Sequence, residues 1–388
     1  MALLDMYDRL STAIDRNAYA VGVFIDLSKA FDTLNHNILL EKLEHYGVRG
    51  VASTLLQNYL KNRYQYVSLN GTSSTMREIL CGVPQGSILG PLLFLVYIND
   101  IINCSNILQF ILFADDTNLF HSDPNIWDLM KSLNEELMLL SNWFKSNKLS
   151  LNVKKTNYII FGRKRVPASD AQFILSIDGN VLEQVDNTKF LGVFIDSKLT
   201  WSKHIEHVSL KISKGLGIMG RLRNSLPMNI LLILYHTLLY PYLSYCNIVW
   251  GCANISLIQK LIVLQKRAIR IITRSSFRSS SNPLFIRLKL LKITDIYKFQ
   301  IALFIYKFNQ SLLPRSCLHY FVKNSVRAYD TRKASYFILL PFRTNVRARS
   351  IAVSGPRLWD NFPPDIQNCL SFGMIKQKLI EYFISLYY

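Results

Sequence analysis

The sequence predicts an α+β fold in which an antiparallel sheet backed by helices is followed by a largely helical second half. Two apolar runs are typical of buried strands and end in carboxylates, one at Asp26 and the other at Asp115 and Asp116. The dipeptide Asn70-Gly71 is favoured in tight hairpins. After Thr200 the apolar residues follow helical spacing.

The first 200 residues are predicted to begin with a helix that ends near Asn17, followed by a strand over Tyr19–Ile25. Further helices are predicted over 35–46, 51–61, 88–99 and 125–147. Hairpins are predicted over 64–80 and over 107–120, the second with Asp115-Asp116 at its tip. The remaining predicted strands are 157–161, 173–177, 181–185 and 189–195.

Long helices are predicted over 201–223 and 258–273, before a Ser- and Arg-rich linker at 275–282. Residues 224–259 carry no Asp, Glu, Lys or Arg. Polar and aromatic residues interrupt this stretch, which therefore predicts a buried helical hairpin turning at Pro241, with a membrane span as the alternative. We expect three segments, 1–200, 201–280 and 281–388.

Charge is distributed unevenly along the 388 residues. Residues 1–200 carry 18 Lys and Arg against 20 Asp and Glu, whereas residues 201–388 carry 27 against 6. A near-neutral half joined to a strongly basic half is typical of a catalytic module joined to a polyanion-binding region. Adsorption to an anionic membrane surface is the alternative interpretation.

The six cysteines are scattered without a Cys-x-x-Cys pair, which argues against a disulfide framework and a zinc site. The N-terminus lacks a basic region followed by an apolar stretch, so it does not resemble a signal peptide. These features predict an intracellular protein with reduced thiols and do not distinguish nucleus from cytoplasm.

Asp26, Asp115 and Asp116 are the candidate catalytic residues. Two strands that each deliver carboxylates to a shared edge can hold a pair of divalent metals, the arrangement used for in-line phosphoryl transfer. Phe31 lies five residues after Asp26, where a bulky ring would exclude a sugar 2′-hydroxyl. The alternative makes Phe31 a core residue of the following helix.

Three further segments have residue types suited to nucleotide chemistry. The loop 82–87 places Gln85 between two glycines, although many such loops are simply turns. Lys154 and Lys155 offer an ammonium to a triphosphate, with solvated surface lysines as the alternative. Residues 190–192, Phe190-Leu191-Gly192, are expected in a late hairpin where glycine allows close backbone approach.

The order of these motifs closely resembles the reverse transcriptase of non-long-terminal-repeat retrotransposons, the LINE or Jockey-like group. The resemblance covers about 20–201. Its motifs are Val-Phe-Ile-Asp-Leu-Ser-Lys-Ala-Phe-Asp (23–32), Gly-Val-Pro-Gln-Gly-Ser-Ile-Leu-Gly-Pro-Leu-Leu-Phe (82–94), Phe-Ala-Asp-Asp-Thr (113–117), Lys-Lys-Thr (154–156) and Lys-Phe-Leu-Gly-Val (189–193). Residues 343–345 and 355–359 also resemble the tail of such open reading frames.

The resemblance implies a right-hand polymerase fold, with a palm in 1–200, a thumb-like region in 201–280 and a basic C-terminal region in 281–388. It implies that Asp26, Asp115, Asp116 and the Leu27 carbonyl bind Mg²⁺, with Mn²⁺ as an alternative. Nucleotide contacts are implied for Leu27, Phe31 as steric gate, Gln85, Gly86 and Lys155, with Lys154 as a near competitor. Phe190, Leu191 and Gly192 are implied to form the primer grip.

The implied function is RNA-directed DNA synthesis from deoxynucleoside triphosphates, on an RNA template and a DNA primer, without a membrane or an obligate protein partner. Only 25 residues precede Asp26, with Arg9 and Arg16 as their basic residues. We therefore expect the fingers region, which supplies basic residues to the triphosphate, and an endonuclease domain to be largely missing. The alternative is a catalytically inactive remnant that only binds nucleic acid.

Overall fold

The computed structural model describes residues 1–162, 174–324 and 336–388. The chain forms two compact units. The first, called here the sheet unit, consists of Asn17–Asp186 together with Ala2. The second, called the helical unit, consists of Met1, Leu3–Arg16 and Asn187–Tyr388.

The sheet unit combines a mixed sheet with helices around one apolar core. Its helices are α2 (His36–His45), α3 (Val51–Leu60), α4 (Leu89–Ile98) and α5 (Ile126–Ser146), with 3₁₀ turns at Ala30–Asp32 and Asn99–Cys104. Its strands are β1 (Tyr19–Ile25), β2 (Tyr64–Gln65), β3 (Ser68–Leu69), β4 (Thr72–Ser73), β5 (Arg77–Glu78), β6 (Gln109–Phe113), β7 (Asp116–Asp123), β8 (Asn157–Phe161), β9 (Ser176–Ile177), β10 (Asn180–Val181) and β11 (Glu183–Gln184).

Strand β1 lies at the centre of a five-stranded sheet in the order β11-β8-β1-β7-β6. It runs antiparallel to both β7 and β8, and β11 adds to β8 in parallel. Val21, Val23 and Ile25 join the core that α2, α4 and α5 cover. On the alternate positions, Gly22 leaves room for Phe120, since a Cβ there would lie 2.8 Å from its ring.

The helical unit contains most of the remaining helices and an antiparallel hairpin. Its helices of five or more residues are α1 (Ala2–Asp15), α6 (Ser202–Leu222), α7 (Met228–Leu238), α8 (Tyr240–Ser244), α10 (Ile255–Ile272), α11 (Asn282–Leu288), α12 (Ile293–Asn309), α14 (Ile351–Trp359) and α16 (Phe372–Ser385). Four-residue helices are α9 (Asn247–Trp250), α13 (Asn345–Ala348) and α15 (Pro364–Gln367). The hairpin is β12 (Asn187–Phe190) with β13 (Val193–Asp196).

Helix α1 belongs to the helical unit, although it precedes the first strand of the sheet unit. Arg347 donates to the Asp8 carboxylate in the buried interior, and Asp15 accepts hydrogen bonds from the backbone of Arg343 and Thr344. Tyr7 places its ring 5.5 Å from that of Trp201. Partners more than 300 positions away thus hold α1 in the helical unit.

Two details of the predicted strands need correction. The expected strand 189–195 turns at Leu191 and Gly192, both with positive φ, and is therefore a hairpin. Residue 173 of the predicted strand 173–177 lies outside the described residues, and the described part of this strand is β9. The predicted hairpin over 64–80 is present as two short strand pairs, β2 with β5 and β3 with β4.

The uncharged stretch 224–259 contains α7, α8 and α9 rather than a two-helix hairpin. Pro241 lies in the first turn of α8, and the chain breaks again at Cys246, whose φ is +49°. The predicted second arm is therefore divided into short pieces. Among the residues that the structure describes, no helix has the length and apolar character needed to cross a membrane.

Candidate active site

The predicted carboxylates meet at one end of the central strands. Asp26 directly follows β1, whose last residue, Ile25, pairs with Thr117 of β7. Asp116 is the first residue of β7, so antiparallel pairing brings it to the same end of the sheet as Asp26. Asp115 precedes it in the connecting turn and is exposed.

The electrostatics of Asp116 are consistent with this closeness. Partial burial raises the pKa of the Asp116 carboxyl above its ordinary value, and the negative charges of Asp115 and Asp26 raise it further. The three carboxylates therefore repel one another, and a cation placed among them would relieve that repulsion.

The hairpin tip lies one residue earlier than predicted. Phe113 pairs with Asp116, which leaves Ala114 and Asp115 as the turn. Ala114 has a φ of +51°, a left-handed conformation that costs a residue with a Cβ about 1–2 kcal/mol. Such backbone strain often occurs where a turn presents functional groups.

A second segment, 150–156, holds Asp26 in place. The Asn152 side chain donates to Asp26 Oδ2 at 2.9 Å, and the Asn152 backbone N–H donates to the Asp26 carbonyl at 2.9 Å. The Asp26 N–H in turn donates to Thr156 Oγ1 at 3.3 Å. Asn152 is a neighbour of Asp26 that the sequence analysis missed, whereas Thr156 is the last residue of the Lys-Lys-Thr motif noted there.

The structure distinguishes the two lysines. Lys155 Nζ lies 3.8 Å from Asp26 Oδ2, whereas Lys154 lines a separate cavity with Asn180 and Glu183. The Lys155 and Asp26 side chains are 71% and 41% exposed, so their ion pair contributes little to stability. Lys155 is the lysine placed to add positive charge beside Asp26.

Phe31 and the loop 82–86 lie beside each other. Phe31 is half-buried, with its ring 4.7 Å from that of Phe94. The Val83 N–H donates to the Phe31 carbonyl at 2.9 Å, and Gln85 Nε2 donates to Asp32 Oδ1 at 2.9 Å. The Phe31 ring therefore lies at the margin of the core.

The two glycines of this loop have different surroundings. A Cβ on Gly82 would lie 2.7 Å from the Asp32 carbonyl oxygen, so the backbone of Asp32 already occupies the space that a side chain would need. Gly86 has nothing within 4 Å of such a Cβ. Only Gly86 therefore leaves open space for an external molecule to approach the backbone.

An open cleft of about 730 Å³ extends from this loop. The residues that line it include Lys29, Asp32, Arg63 and Gln85. The cleft belongs wholly to the sheet unit. It gives a ligand access to Gln85 and to both cationic side chains.

Oxygen donors of the kind found here are those that Mg²⁺ and Mn²⁺ prefer. Within 1–162, 174–324 and 336–388, no three acidic, His or Cys side chains are grouped closely enough to form a complete metal site. The donor chemistry at Asp26, Asp115 and Asp116 thus fits the expected metal. Their side chains are not arranged as a closed ligand set.

The residues expected in the primer grip lie in the other compact unit. Phe190 pairs with Val193, and Leu191 and Gly192 form the turn between β12 and β13. Tyr245 donates its hydroxyl to the Leu191 carbonyl at 2.7 Å, which braces this turn from the end of α8. These residues are not members of the carboxylate cluster in the sheet unit.

Comparison with known proteins gives consistent matches. The family model for reverse transcriptase (RNA-dependent DNA polymerase) matches residues 4–195. The chain is 27% identical over 293 residues to the RNA-directed DNA polymerase from mobile element jockey of Drosophila melanogaster, covering 73% of this chain and 31% of that protein. It is 30% identical over 278 residues to the probable RNA-directed DNA polymerase from transposon BS of the same organism, covering 67% of this chain and 30% of that protein.

The chain thus spans about a third of the length of these curated relatives. Among solved structures, the chain is similar to apo telomerase from Candida tropicalis, with 13% sequence identity and a TM-score of 0.38. The match covers 81% of this chain and 55% of the telomerase chain. The family match and the relatives agree with the order of motifs in the sequence. Residues 4–195 therefore belong to the reverse transcriptase family and form a reverse transcriptase domain of the kind found in non-LTR retrotransposon RNA-directed DNA polymerases.

Proposed function

We propose that this chain carries the site of an RNA-directed DNA polymerase, which adds deoxynucleotides to a primer 3′-hydroxyl on an RNA template. The observation that carries the proposal is the meeting of Asp26 and Asp116 at one end of adjacent antiparallel strands, with Asp115 beside them. The match of residues 4–195 to the reverse transcriptase family supports the same chemistry.

Asp26, Asp115, Asp116 and the Leu27 carbonyl are the groups proposed to hold Mg²⁺ or Mn²⁺. When bound, a pair of such ions activates the primer hydroxyl and stabilises charge on the triphosphate. Asn152 orients the Asp26 carboxylate toward this role through its 2.9 Å hydrogen bond. Formation of the site requires the Asp115 and Asp116 side chains to converge with Asp26.

Lys155 is proposed to offset charge on the triphosphate or to donate a proton to the departing pyrophosphate. The Lys155 ammonium lies 3.8 Å from Asp26 Oδ2. Phe31 is proposed as the steric gate, because its ring packs beside that of Phe94 and stays partly exposed. Gln85 and Gly86 are proposed to contact the nucleotide, with Gly86 offering unobstructed backbone.

The helical unit is proposed to act as a thumb-like and basic region that contacts nucleic-acid phosphates. Residues 201–388 carry 27 Lys and Arg against 6 Asp and Glu, which suits a polyanion. Phe190, Leu191 and Gly192 are proposed as the primer grip, with Tyr245 fixing their turn. The palm assignment of 1–200 is proposed mainly for the sheet unit.

Primer extension on poly(rA)/oligo(dT) with Mg²⁺ tests the proposal. We expect incorporation by the wild-type chain and its loss in Asp115→Ala. Asp123→Ala is the matched control, because it removes a carboxylate from the far end of the same strand, opposite Tyr19. Equal incorporation by wild type and Asp115→Ala would reject this site.

The second candidate is a nucleic-acid binder without turnover. It is favoured by the incomplete grouping of acidic side chains among the described residues. This candidate predicts salt-sensitive RNA or DNA binding that Asp115→Ala leaves unchanged, together with no incorporation by the wild type. Primer extension and binding measured on the same preparations therefore separate the two candidates.

A further inference from the structure

The turn between β12 and β13 has a strained backbone. Leu191 and Gly192 form this turn, with φ of +46° and +81°. A two-residue hairpin turn with positive φ at both positions favours Asn-Gly or Gly-Gly, and the Cβ of a leucine makes the left-handed conformation unfavourable. Strained backbone persists only where surrounding contacts hold it, and it clusters at functional sites. The contacts that hold Leu191 therefore indicate how the turn is used.

A tyrosine from outside the hairpin supplies such a contact. The Tyr245 hydroxyl donates to the Leu191 carbonyl at 2.7 Å. A Cβ added to Gly192 would lie 3.4 Å from Tyr245 Cε1, so the ring lies directly beside the glycine. Tyr245 is 53% exposed, and core packing therefore does not explain its position. The side chain holds the turn from the solvent side of the helical unit.

The backbone of Tyr245 is itself fixed by side chains of α9 and α12. Trp250 is fully buried, and its Nε1–H donates to the Tyr245 carbonyl at 2.8 Å. Gln300 Nε2 donates to the Ser244 carbonyl at 2.6 Å, and Gln300 Oε1 accepts from the Ile248 N–H at 3.0 Å. These bonds hold the short connection between α8 and α9, so packed helices set the position of the tyrosine.

The same tryptophan also contacts the support of the second strand. The His204 ring lies 5.2 Å from that of Trp250 in an edge-to-face arrangement. His204 Nδ1 accepts a hydrogen bond from the Phe194 N–H of β13 at 3.4 Å. One buried side chain thus connects the support of the turn to the support of β13. The hairpin is held at two points, which suits it to keep a bound strand in one position.

We infer that Tyr245 is a positioning residue for the primer, because its hydroxyl holds the Leu191-Gly192 turn in the conformation that contacts the primer strand. The inference rests on the proposed function for the assignment of this turn to the primer grip. Tyr245 acts through the Leu191 carbonyl and not on the reacting atoms. Loss of the hydroxyl displaces the primer end, whereas affinity for the duplex comes mainly from phosphate contacts and changes little.

The first experiment measures the effect of the hydroxyl on the turn without nucleic acid. Tyr245→Phe keeps the ring and removes one hydrogen bond, so hydrogen exchange of peptide 187–198 in the full chain is expected to become about 2- to 12-fold faster. Tyr242→Phe makes the same change within α8 and is the matched control. Adding Leu191→Asn to Tyr245→Phe is expected to restore slow exchange, because Asn-Gly adopts this turn without strain.

The second experiment locates the primer end and requires no turnover. An oligo(dT) primer that ends in 4-thiothymidine is annealed to poly(rA), bound to the full chain and irradiated, and crosslinked peptides are identified by mass spectrometry. We expect crosslinks within 187–198 for wild type and Tyr242→Phe, and about 2- to 12-fold lower yield for Tyr245→Phe. The Kd of the same duplex, measured by anisotropy, is expected to change less than about twofold.

Primer extension provides the kinetic readout. Tyr245→Phe is expected to lower kcat by about 2- to 12-fold and to leave KM for dTTP unchanged, since a misplaced primer end slows the chemical step without altering nucleotide binding. An effect confined to KM for dTTP would overturn the inference, because Tyr245 would then act on the nucleotide.

Wild-type crosslinks that lie outside 187–198 would also overturn it, as would equal crosslink yields in wild type and Tyr245→Phe. Faster exchange in Tyr245→Phe with unchanged crosslinking would show that the hydroxyl stabilises the hairpin alone, which contradicts the inference. Exchange that Leu191→Asn does not restore would contradict the role of the strained turn. Failure of the proposed polymerase function has a different signature, namely no extension by wild type while the crosslinks to 187–198 and their loss in Tyr245→Phe persist.

Discussion

Gly82 and Gly86 provide a sharp test of how the loop beside Phe31 is built. Both residues have a positive φ, +84° and +80°. Replacing either with alanine therefore incurs a similar left-handed penalty of about 1–2 kcal/mol. Only at Gly82 would the new Cβ also meet three backbone atoms of Asp32, at 2.7 to 2.8 Å.

The size of the difference follows from the bonds that this overlap disturbs. The Gly82 N–H donates to the Leu34 carbonyl at 2.8 Å, the His36 ring nitrogen lies 2.7 Å from the Gly82 carbonyl oxygen, and the Val83 N–H donates to Phe31 at 2.9 Å. Each hydrogen bond contributes about 0.5–1.5 kcal/mol. We expect Gly82→Ala to destabilise the sheet unit by about 2–4 kcal/mol more than Gly86→Ala.

Because the chain has two compact units, unfolding is best followed inside the sheet unit. Hydrogen exchange of peptides from β1 and β7 at increasing urea gives the free energy of opening for that unit. Gly86→Ala is the matched control, since its Cβ would lie in open space. Equal losses in the two variants, within about 0.5 kcal/mol, would refute the steric argument.

Three further predictions address other contacts. Asn152→Ala removes a charge-assisted hydrogen bond to a partly exposed Asp26, so we expect about 1 kcal/mol less stability and about tenfold slower primer extension, measured as kcat. Arg347→Met leaves the Asp8 carboxylate buried without its partner and is expected to cost about 3–5 kcal/mol by thermal unfolding; a double variant with Asp8→Leu that regains nothing would contradict this. Burial lowers the pKa of His204 to about 4, so the folded state favours the neutral ring and stability is lost as pH falls from about 6.5 to 4. Between about pH 7 and pH 4 the wild type should lose about 3 kcal/mol more than His204→Gln, and identical pH profiles would disprove the assignment.

The sequence was sufficient to predict a helix or strand where the spacing of apolar residues within that segment is regular. Strand β1 was predicted over its full length, and α5 within one residue at each end, because each has an uninterrupted apolar pattern. The shared edge of Asp26 and Asp116 was also predicted, and antiparallel pairing explains it, because Asp26 follows the last residue of β1 and Asp116 is the first residue of β7.

Contacts over long sequence separations were not predictable in this way. Asn152 holds Asp26 from 126 positions away, and no local pattern assigns an asparagine to a distant carboxylate. Helix α1 has an ordinary amphipathic pattern that does not reveal Arg347 as the partner of Asp8. The bounds of the predicted strand 189–195 were wrong because Leu191 has a positive φ that opposes the usual preference of leucine, whereas the hairpin expected around residues 190–192 is present.

Mn²⁺ binding is the most direct test of the carboxylate cluster, because it requires neither template nor turnover. Titration of the full chain with Mn²⁺, followed by electron paramagnetic resonance, would compare wild type with Asp26→Asn and Asp116→Asn. Lys155→Ala is the control, since it removes a competing cation beside Asp26 and leaves the carboxylates intact. We predict that the wild type and Lys155→Ala bind Mn²⁺ at least about tenfold more tightly than either aspartate variant. Equal binding by all four proteins would contradict the proposed metal site.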